Sequence, residues 1–304
     1  MYVATSPPAV APPPVASLRL ARIEHMIFEA GRPVPEVDRG YFTDLMSSHG
    51  MECSADAFTR DCNTYRHMVE NLLPRLGPLG DRFDMAVMAI ATPDAEPGWP
   101  MSYLTGAVSS PGLAFAISDQ GAAAPFTALR LLLGSPGDYG ARRAQLWVMD
   151  QSALMHDAPV PPRLRPEADS AVAMILDEEE GTGQLSVSQL TDVPPGDVRS
   201  HLERWAERAR GSGATAAVCG RGLTPYWSPA WADEVRWARP GLPCTGVWAC
   251  LADALPSWRA TKPNVMIAEY DEELGYLSMC ALDLAGIDER MGRRHDDSES
   301  TGAR

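Results

Sequence analysis

The segment AISDQGAAAPFTALRLLL, residues 116–133, holds the arrangement most open to chemistry: a short apolar run, a turn, then an apolar helix. Such a turn presents a side chain at the helix N-terminus, where the helix dipole and free backbone N–H groups activate a nucleophile. Here the turn reads Ser118-Asp119-Gln120-Gly121. Asp119 and Gln120 are candidates for a catalytic pair at the helix mouth. The plainer reading is a cap, in which Ser118 or Asp119 accepts first-turn N–H groups. Gly121 offers no side chain at all. Cys244 and Cys219 are candidates for a displaced nucleophile facing each other across a pocket. Their plainer reading is a pair of small buried hydrophobes. Arg221, two residues after Cys219, suits a phosphate or carboxylate, and suits a surface salt bridge as well. His156, followed by Asp157 in LMHDAP, comes after an apolar run and could reach a pocket; a satisfied loop histidine is the simpler account. The six cysteines include no C-x-x-C pair, and the six histidines show no H-x-x-x-H or H-E-x-x-H spacing, so neither a metal nor a cofactor is expected.

These residues need strands and helices to hold them. FDMAVMAIATP, residues 83–93, is a continuous apolar run stopped by Pro93, as in a strand buried on both faces. PGLAFAIS, RAQLWVMDQSAL and DSAVAMILDEEE read as further strands, and LRLARIEHMIFEAG opens the sheet. Tyr65, Met68, Val69, Leu72 and Leu73 follow helical spacing, and VRSHLERWAERARGSG is an amphipathic helix with Gly211 or Gly213 as its C-cap. GQLSVSQLTDVPPGD suggests an antiparallel strand, and ATAAVCGRGLTP a strand and a Gly-rich turn. CTGVWACLADALPSW is a helix, and NVMIAEYDEELGYLSMCALDL two strands joined by an acidic turn. Strands alternating with helices predict an α/β protein with largely parallel pairing. The layout repeats, which predicts two pseudo-equivalent halves, 18–180 and 181–288, between a Pro/Ala arm (1–17) and a charged tail (289–304), both expected to be disordered.

Composition narrows the partners. The 304 residues are 45% apolar with a net charge of −14, enough for a large core and poorly suited to nucleic acid or an anionic membrane surface. No apolar run reaches the roughly 20 residues of a membrane span. The first residues lack a basic start and an apolar core, so no secretory signal is expected, and the scattered cysteines fit a reducing cytoplasm. Six tryptophans lie between Trp205 and Trp258; Trp248 among them could line an acyl or aromatic pocket, although helical spacing favours core. YWSPAWADEVRW is the best candidate for a contact surface.

In order along the chain, these segments resemble the thiolase-like superfamily, and within it the ketoacyl-acyl carrier protein synthase III group. FDMAVMAIATPDAEP is similar to that group's DLVIVATTTPD strand, and LAFAISDQGAAAPFTALRLLL to its AFDINAACSGFVYAL segment. RAQLWVMDQSAL resembles its VLVVGAE strand, EADSAVAMIL its GDGAGAVVL strand, and GLPCTGVWACLADAL its GNTSSASIPLAL helix start. NVMIAEYDEELGYLSMCAL resembles its closing strand pair. The resemblance implies a five-layered αβαβα fold and a Cys-His-Asn triad acting on acyl thioesters. It places the cysteine position on Gly121, the histidine position at Cys219–Gly220 and the asparagine position on Cys244, so all three depart from the pattern. EYDEELGY replaces the Gly-rich oxyanion turn.

What the resemblance implies is a triad-less pseudo-ketosynthase of fatty-acid or polyketide-type secondary metabolism, shaping an acyl pocket for a partner. That partner would be a homologous ketosynthase subunit or a second copy, paired through an edge strand near RAQLWVMD or LAFAIS. An acyl carrier protein or a CoA thioester is a further expected partner. The alternatives are an acyltransferase or hydrolase with a re-made site for such thioesters, with Cys244, Cys219, Asp119 and Gln120 as catalytic candidates, and a non-catalytic ligand-binding scaffold. Gly121, Arg221, His156 and Trp248 are the candidates for substrate contact.

Overall fold

The computed structural model describes residues 18–29, 31–79, 82–107, 112–134, 141–181, 183–209 and 215–284. The arm, the tail and both proposed C-cap glycines of the amphipathic helix lie outside these residues. The first five strands are β1 (Arg19–Ile27), β2 (Met85–Ile90), β3 (Leu113–Ile117), β4 (Arg143–Asp150) and β5 (Ser170–Asp177). The second five are β6 (Gln184–Leu190), β7 (Thr215–Cys219), β8 (Glu234–Trp237), β9 (Asn264–Asp271) and β10 (Tyr276–Asp283). The helices are α1 (Arg39–Ser48), α2 (Tyr65–Leu72), α3 (Met101–Ala107), α4 (Ala124–Leu133), α5 (Val198–Ala209) and α6 (Gly246–Trp258).

The strand order is β3-β2-β4-β5-β1-β6-β10-β9-β7-β8. Read from either end, the pairing is the same. β2 lies parallel to β3 and β4, with β5 antiparallel to β4 and to β1. β7 lies parallel to β8 and β9, with β10 antiparallel to β9 and to β6. The halves touch through β1 and β6 at Arg19–Gln184.

The layers follow from alternation along the strands. Leu146 and Val148 of β4, Val265 and Ile267 of β9, and the apolar residues of α4 and α6 share one central core. The opposite faces bury Trp147 and Met149 with α2 and α3, and Met266 and Ala268 with α5. Helix on sheet, sheet on helix pair, and sheet on helix give the five-layered αβαβα fold. α4 sits in the middle because its sequence leaves little polar surface; Ala124, Phe126, Ala128, Leu129 and Leu132 are buried, Thr127 and Leu133 are partly buried, and Arg130 and Leu131 are exposed. Pro125 stands in its first turn, where a missing N–H is harmless. α5 instead buries one stripe, Val198, Leu202, Trp205 and Ala206.

Two expectations change. Pairing is not largely parallel: among the described strands β2–β3, β2–β4, β7–β8 and β7–β9 are parallel, while β1–β5, β1–β6, β4–β5, β6–β10 and β9–β10 are antiparallel, the last because a tight turn joins its strands. RAQLWVMD does not supply an edge strand: β4 is paired on both sides, by β2 and β5, as its unbroken apolar run requires. β3, the LAFAIS strand, is the edge of the first half, with Leu113 half exposed.

Candidate functional site

The fold brings the starts of the two central helices together. Gly121 opens the 3-10 turn Gly121–Ala123 that leads into α4, and Cys244 and Thr245 precede α6. The Cys244 thiol donates to the Gly121 carbonyl at 3.0 Å. One turn further on, Phe126 and Trp248 meet with ring centroids 5.0 Å apart. Gly220 follows β7, and β9 runs beside it with Glu269 and Asp271. The positions singled out on Gly121, Gly220 and Cys244, far apart in sequence, therefore border one place.

That place is filled by acids. Gly121 has φ +49°, a left-handed conformation, and a methyl group on it would stand 2.8 Å from Asp271 Oδ2. A methyl group on Gly220 would stand 1.7 Å from Glu269 Oε2. Glu269 Oε1 accepts from Gly222 N at 3.1 Å and Tyr270 N at 3.0 Å, yet burial pushes the Glu269 carboxyl up to about 8. Asp271 Oδ1 accepts from Glu273 N and Leu274 N, each at 3.1 Å; its Oδ2 is buried without a partner. Burial raises the Asp271 carboxyl as well. The cavity that remains, bordered by Leu164, Gly222, Glu269 and Asp271, measures about 40 Å3. A roomier cleft of about 650 Å3 lies elsewhere, bordered by Phe28, Arg32 and His67, and touches none of these residues.

A third acid organises the other helix. Asp150, fully buried at the end of β4, accepts from Cys244 N, Thr245 N at 2.8 Å and Thr245 Oγ1 at 2.6 Å. It is an N-terminal cap supplied by another strand. Burial moves its carboxyl up to about 6 against those hydrogen bonds. The Cys244 thiol is held well above its usual value by burial, then by Asp150, Asp271 and Glu269. A thiol that donates to a carbonyl amid three carboxyls is kept protonated and is a poor nucleophile.

The remaining candidates separate. Asp119 takes φ +61°, is exposed and accepts from Ser118 Oγ at 2.6 Å; Gln120 Oε1 accepts from Thr127 Oγ1 at 2.5 Å. Neither caps the helix through its side chain, because both are spent on neighbouring hydroxyls. Cys219 packs in the core beneath α5, on the far face of the sheet from Cys244, so the two thiols do not face each other; burial pushes Cys219 up to about 12. Trp248 is fully buried between the helices and does not border the cavity. His156, in the loop after β4, forms a backbone β-bridge with Cys53 in the connection between α1 and α2, and does not border the cavity. Arg221 does border it, and donates Nε to Ala238 O at 2.6 Å.

Sequence reading missed Asp150, Glu269 and Asp271. A period-2 signal was available: in NVMIAEYD the set Val265, Ile267, Glu269 and Asp271 shares one face, which turns from apolar to acidic. RAQLWVMD ends an apolar run in Asp150 in the same way. Among the described residues no helix is long and apolar enough to cross a membrane, and no cluster of His, Cys, Asp or Glu is arranged to hold a metal ion.

No protein-family model matches the sequence, and no curated protein sequence does. Solved structures do resemble the fold. The tetronic acid condensing enzyme AbyA1 aligns over 88% of this chain and 100% of its own at 15% identity, with a TM-score of 0.58. The 3-oxoacyl-(acyl carrier protein) synthase III of Pseudomonas aeruginosa PAO1 aligns over 88% and 98% at 16% identity, with a TM-score of 0.53. OleA of Xanthomonas campestris aligns over 88% and 98% at 10% identity, with a TM-score of 0.55. The mirrored strand order, the two central helices and these alignments together give the chain the thiolase-like fold of the ketoacyl synthase III enzymes.

Proposed function

We propose that this chain is a ketosynthase III-like subunit that has kept the condensing-enzyme fold without condensing chemistry. It serves as the partner of a homologous catalytic subunit in an acyl-thioester pathway of the fatty-acid or polyketide type, in a reducing cytoplasm. One observation carries the reading: the space a nucleophile's side chain would need at Gly121 belongs to the Asp271 carboxyl, 2.8 Å from a methyl placed there. Two others support it. Glu269 fills the room beside Gly220, and the Cys244 thiol donates to the Gly121 carbonyl and is held protonated by burial and the nearby carboxyls. The open edge of β3, with Leu113 half exposed, suits pairing with a second thiolase-like subunit.

A second reading has one observation in its favour. Asp271 borders the cavity and its Oδ2 has no hydrogen-bond partner, as expected of a general base for water, which suits a re-made hydrolase or acyltransferase. Against it, about 40 Å3 admits a water and no thioester. Incubation with a panel of acyl-CoA thioesters, followed by intact mass and free-thiol release, separates the two. The partner reading expects no adduct and no release. It also expects co-purification with a Cys-containing homologue, with more than roughly 2,000 Å2 buried between them. An acyl adduct on Cys244, lost together with activity in Cys244→Ala, overturns it.

A further inference from the structure

We propose that the cavity between the start of α2 and the loop leading into α3 binds a small aliphatic amine, whose ammonium group is held by the rings of Trp99 and Tyr103 and the carboxylates of Asp94 and Glu96. The inference is independent of the functional reading above: none of Gly121, Cys244, Glu269 and Asp271 borders this cavity.

The cavity measures about 310 Å3 and is bordered by Arg66, Asp94, Glu96, Trp99, Ser102 and Tyr103. The loop at its rim is stiff. Pro97 and Pro100 fix their own φ, and Gly98 between them takes φ +116°, which a side chain rarely allows. This loop holds Trp99 50% exposed, against the usual burial of so large a ring. Tyr103 follows four residues later, one helical turn away, and Ser102 N bonds Trp99 O at 3.0 Å within that turn. The chain's own Arg66 already shows what the cavity recognises. Its guanidinium carbon stands 5.3 Å from the Tyr103 ring centroid, and its Nη1 lies 3.9 Å from Glu96 Oε1. The Tyr103 face and the Glu96 carboxylate are thus turned toward one positive group.

Arg66 alone does not satisfy the site. Its Nε is spent on Glu70 Oε1, 2.9 Å away and one turn along α2, which leaves Glu96 beyond hydrogen-bond distance. Asp94 is bonded by neutral donors, Tyr65 N at 3.0 Å and Gln151 Nε2 at 3.2 Å, both on Oδ1. It is 8% exposed, and burial pushes its carboxyl up to about 6. Beside it, Gln151 Oε1 is buried without a donor. Among the described residues that border the cavity, Arg66 is the one cation against Asp94 and Glu96, in a chain whose net charge is −14. The place is rich in acceptors and short of donors and positive charge. An alkylammonium supplies both: a charge for the carboxylates and ring faces, and three N–H donors for the acceptors. The volume lies at the small end of the range for small-molecule sites, roughly 300–1,000 Å3, and leaves room for a short alkyl chain along Trp99.

Calorimetry on the full chain at neutral pH tests the site, with butylamine, tetramethylammonium and the neutral butanol as probes. Butylamine should bind. Tetramethylammonium, which has no N–H to donate, should bind at least roughly threefold more weakly, and butanol not at all. Trp99→Ala and Glu96→Gln should each weaken butylamine binding by roughly tenfold. Both side chains are at least one-third exposed, so the fold should survive either change, and thermal melting checks that it does. Arg66→Gln removes the competing guanidinium and should tighten butylamine binding severalfold. No butylamine binding, butanol binding as tight as that of butylamine, or unchanged butylamine affinity in Trp99→Ala overturns the site. Tetramethylammonium binding as tight as that of butylamine overturns the assignment to a primary amine. None of these results touches the functional reading, which the acyl-adduct experiment decides separately.

Discussion

Asp150 and Asp271 hold equivalent places in the two halves. Each closes the strand that lies third from the edge of its half, β4 or β9, and each turns its carboxyl toward the start of the central helix of the opposite half. Their surroundings differ. Asp150 accepts from two backbone N–H groups and a hydroxyl, and so ties β4 to α6. Asp271 spends Oδ1 on its own turn and leaves Oδ2 without a partner. The same acid at the same topological place is a fastening in one half and an uncompensated group in the other. Strain of that kind persists at functional positions more readily than in a plain core. The half that carries it is the one whose turn covers Gly121.

The largest effect expected of this contrast is on stability. Asp150→Ala strands the N–H groups of Cys244 and Thr245 in the core and leaves the Thr245 hydroxyl with Ser170 Oγ as its remaining partner. The expected loss is about 3–5 kcal/mol, read as a shift in the urea unfolding midpoint. Asp271→Ala removes a carboxyl that already lacks half its partners, and the expected change is within about 1 kcal/mol of wild type. Equal losses in the two variants would mean that the acids are the same kind of group after all.

Gly121 gives the next test. Gly121→Ala meets two obstacles, a left-handed φ of +49° and an approach of 2.8 Å to Asp271 Oδ2. Together they should destabilise by about 2–3 kcal/mol. Adding Asp271→Gly removes the approach and leaves the φ, so roughly half should return. No recovery would show that Asp271 is not the occupant of that space.

Much of this was legible in the sequence. Continuous apolar runs such as MAVMAI and AVAMIL can only be central strands, and the apolar sequence of α4 requires a surrounded helix. The meeting of Gly121 with Cys244 followed from the resemblance. What escaped was decided by direction across a sheet. Cys219 and Cys244 are both buried thiols, and only the pleat of β7 sets Cys219 against α5 and leaves Cys244 in the central layer. Likewise Asp119 suggested a cap, while its φ of +61° turns it out of the helix mouth toward Ser118. Side-chain hydrogen bonds between neighbours compete with caps on nearly equal terms, and composition does not rank them.

The acids also differ in charge, which pH can read. Burial raises Asp150 from 3.8 to about 6 and Glu269 from 4.5 to about 8. In the window between the unfolded and folded values the native state holds a proton that the unfolded chain has released. Raising the pH therefore favours unfolding: the stability is fully present below the unfolded value and is lost as pH passes the folded one. Asp150 gives up its proton at the lower end of the interval from pH 6 to 8, and Glu269 holds its own until about 8. Across that interval wild type should lose about 1.4 kcal/mol per pH unit more than Glu269→Gln. Urea midpoints of both proteins at several pH values give the two slopes. Parallel slopes would mean that Glu269 ionises near its ordinary value, through water that reaches the cavity.

The smallest effect concerns the joint between the halves. Phe126 and Trp248 each stand two residues into a central helix, α4 and α6, and their rings meet at 5.0 Å with an interplanar angle of 52°. Both belong to the central core, so any single truncation mixes the ring contact with lost burial and a cavity. A double-mutant cycle separates them. Phe126→Leu and Trp248→Leu each remove burial against many neighbours, and those losses cancel in the cycle; the ring-on-ring contact does not. A tilted aromatic pair of this kind should leave a coupling of about 1 kcal/mol. The two rings stand at matching places in α4 and α6, whereas Asp150 and Asp271, at matching places in β4 and β9, differ in their partners. A cycle between Asp150→Ala and Asp271→Ala should show little coupling, because Asp150 is tied to α6 and Asp271 to its own turn. Coupling at the acids and none at the rings would place the link between the halves at the site itself and not in the helices beneath it.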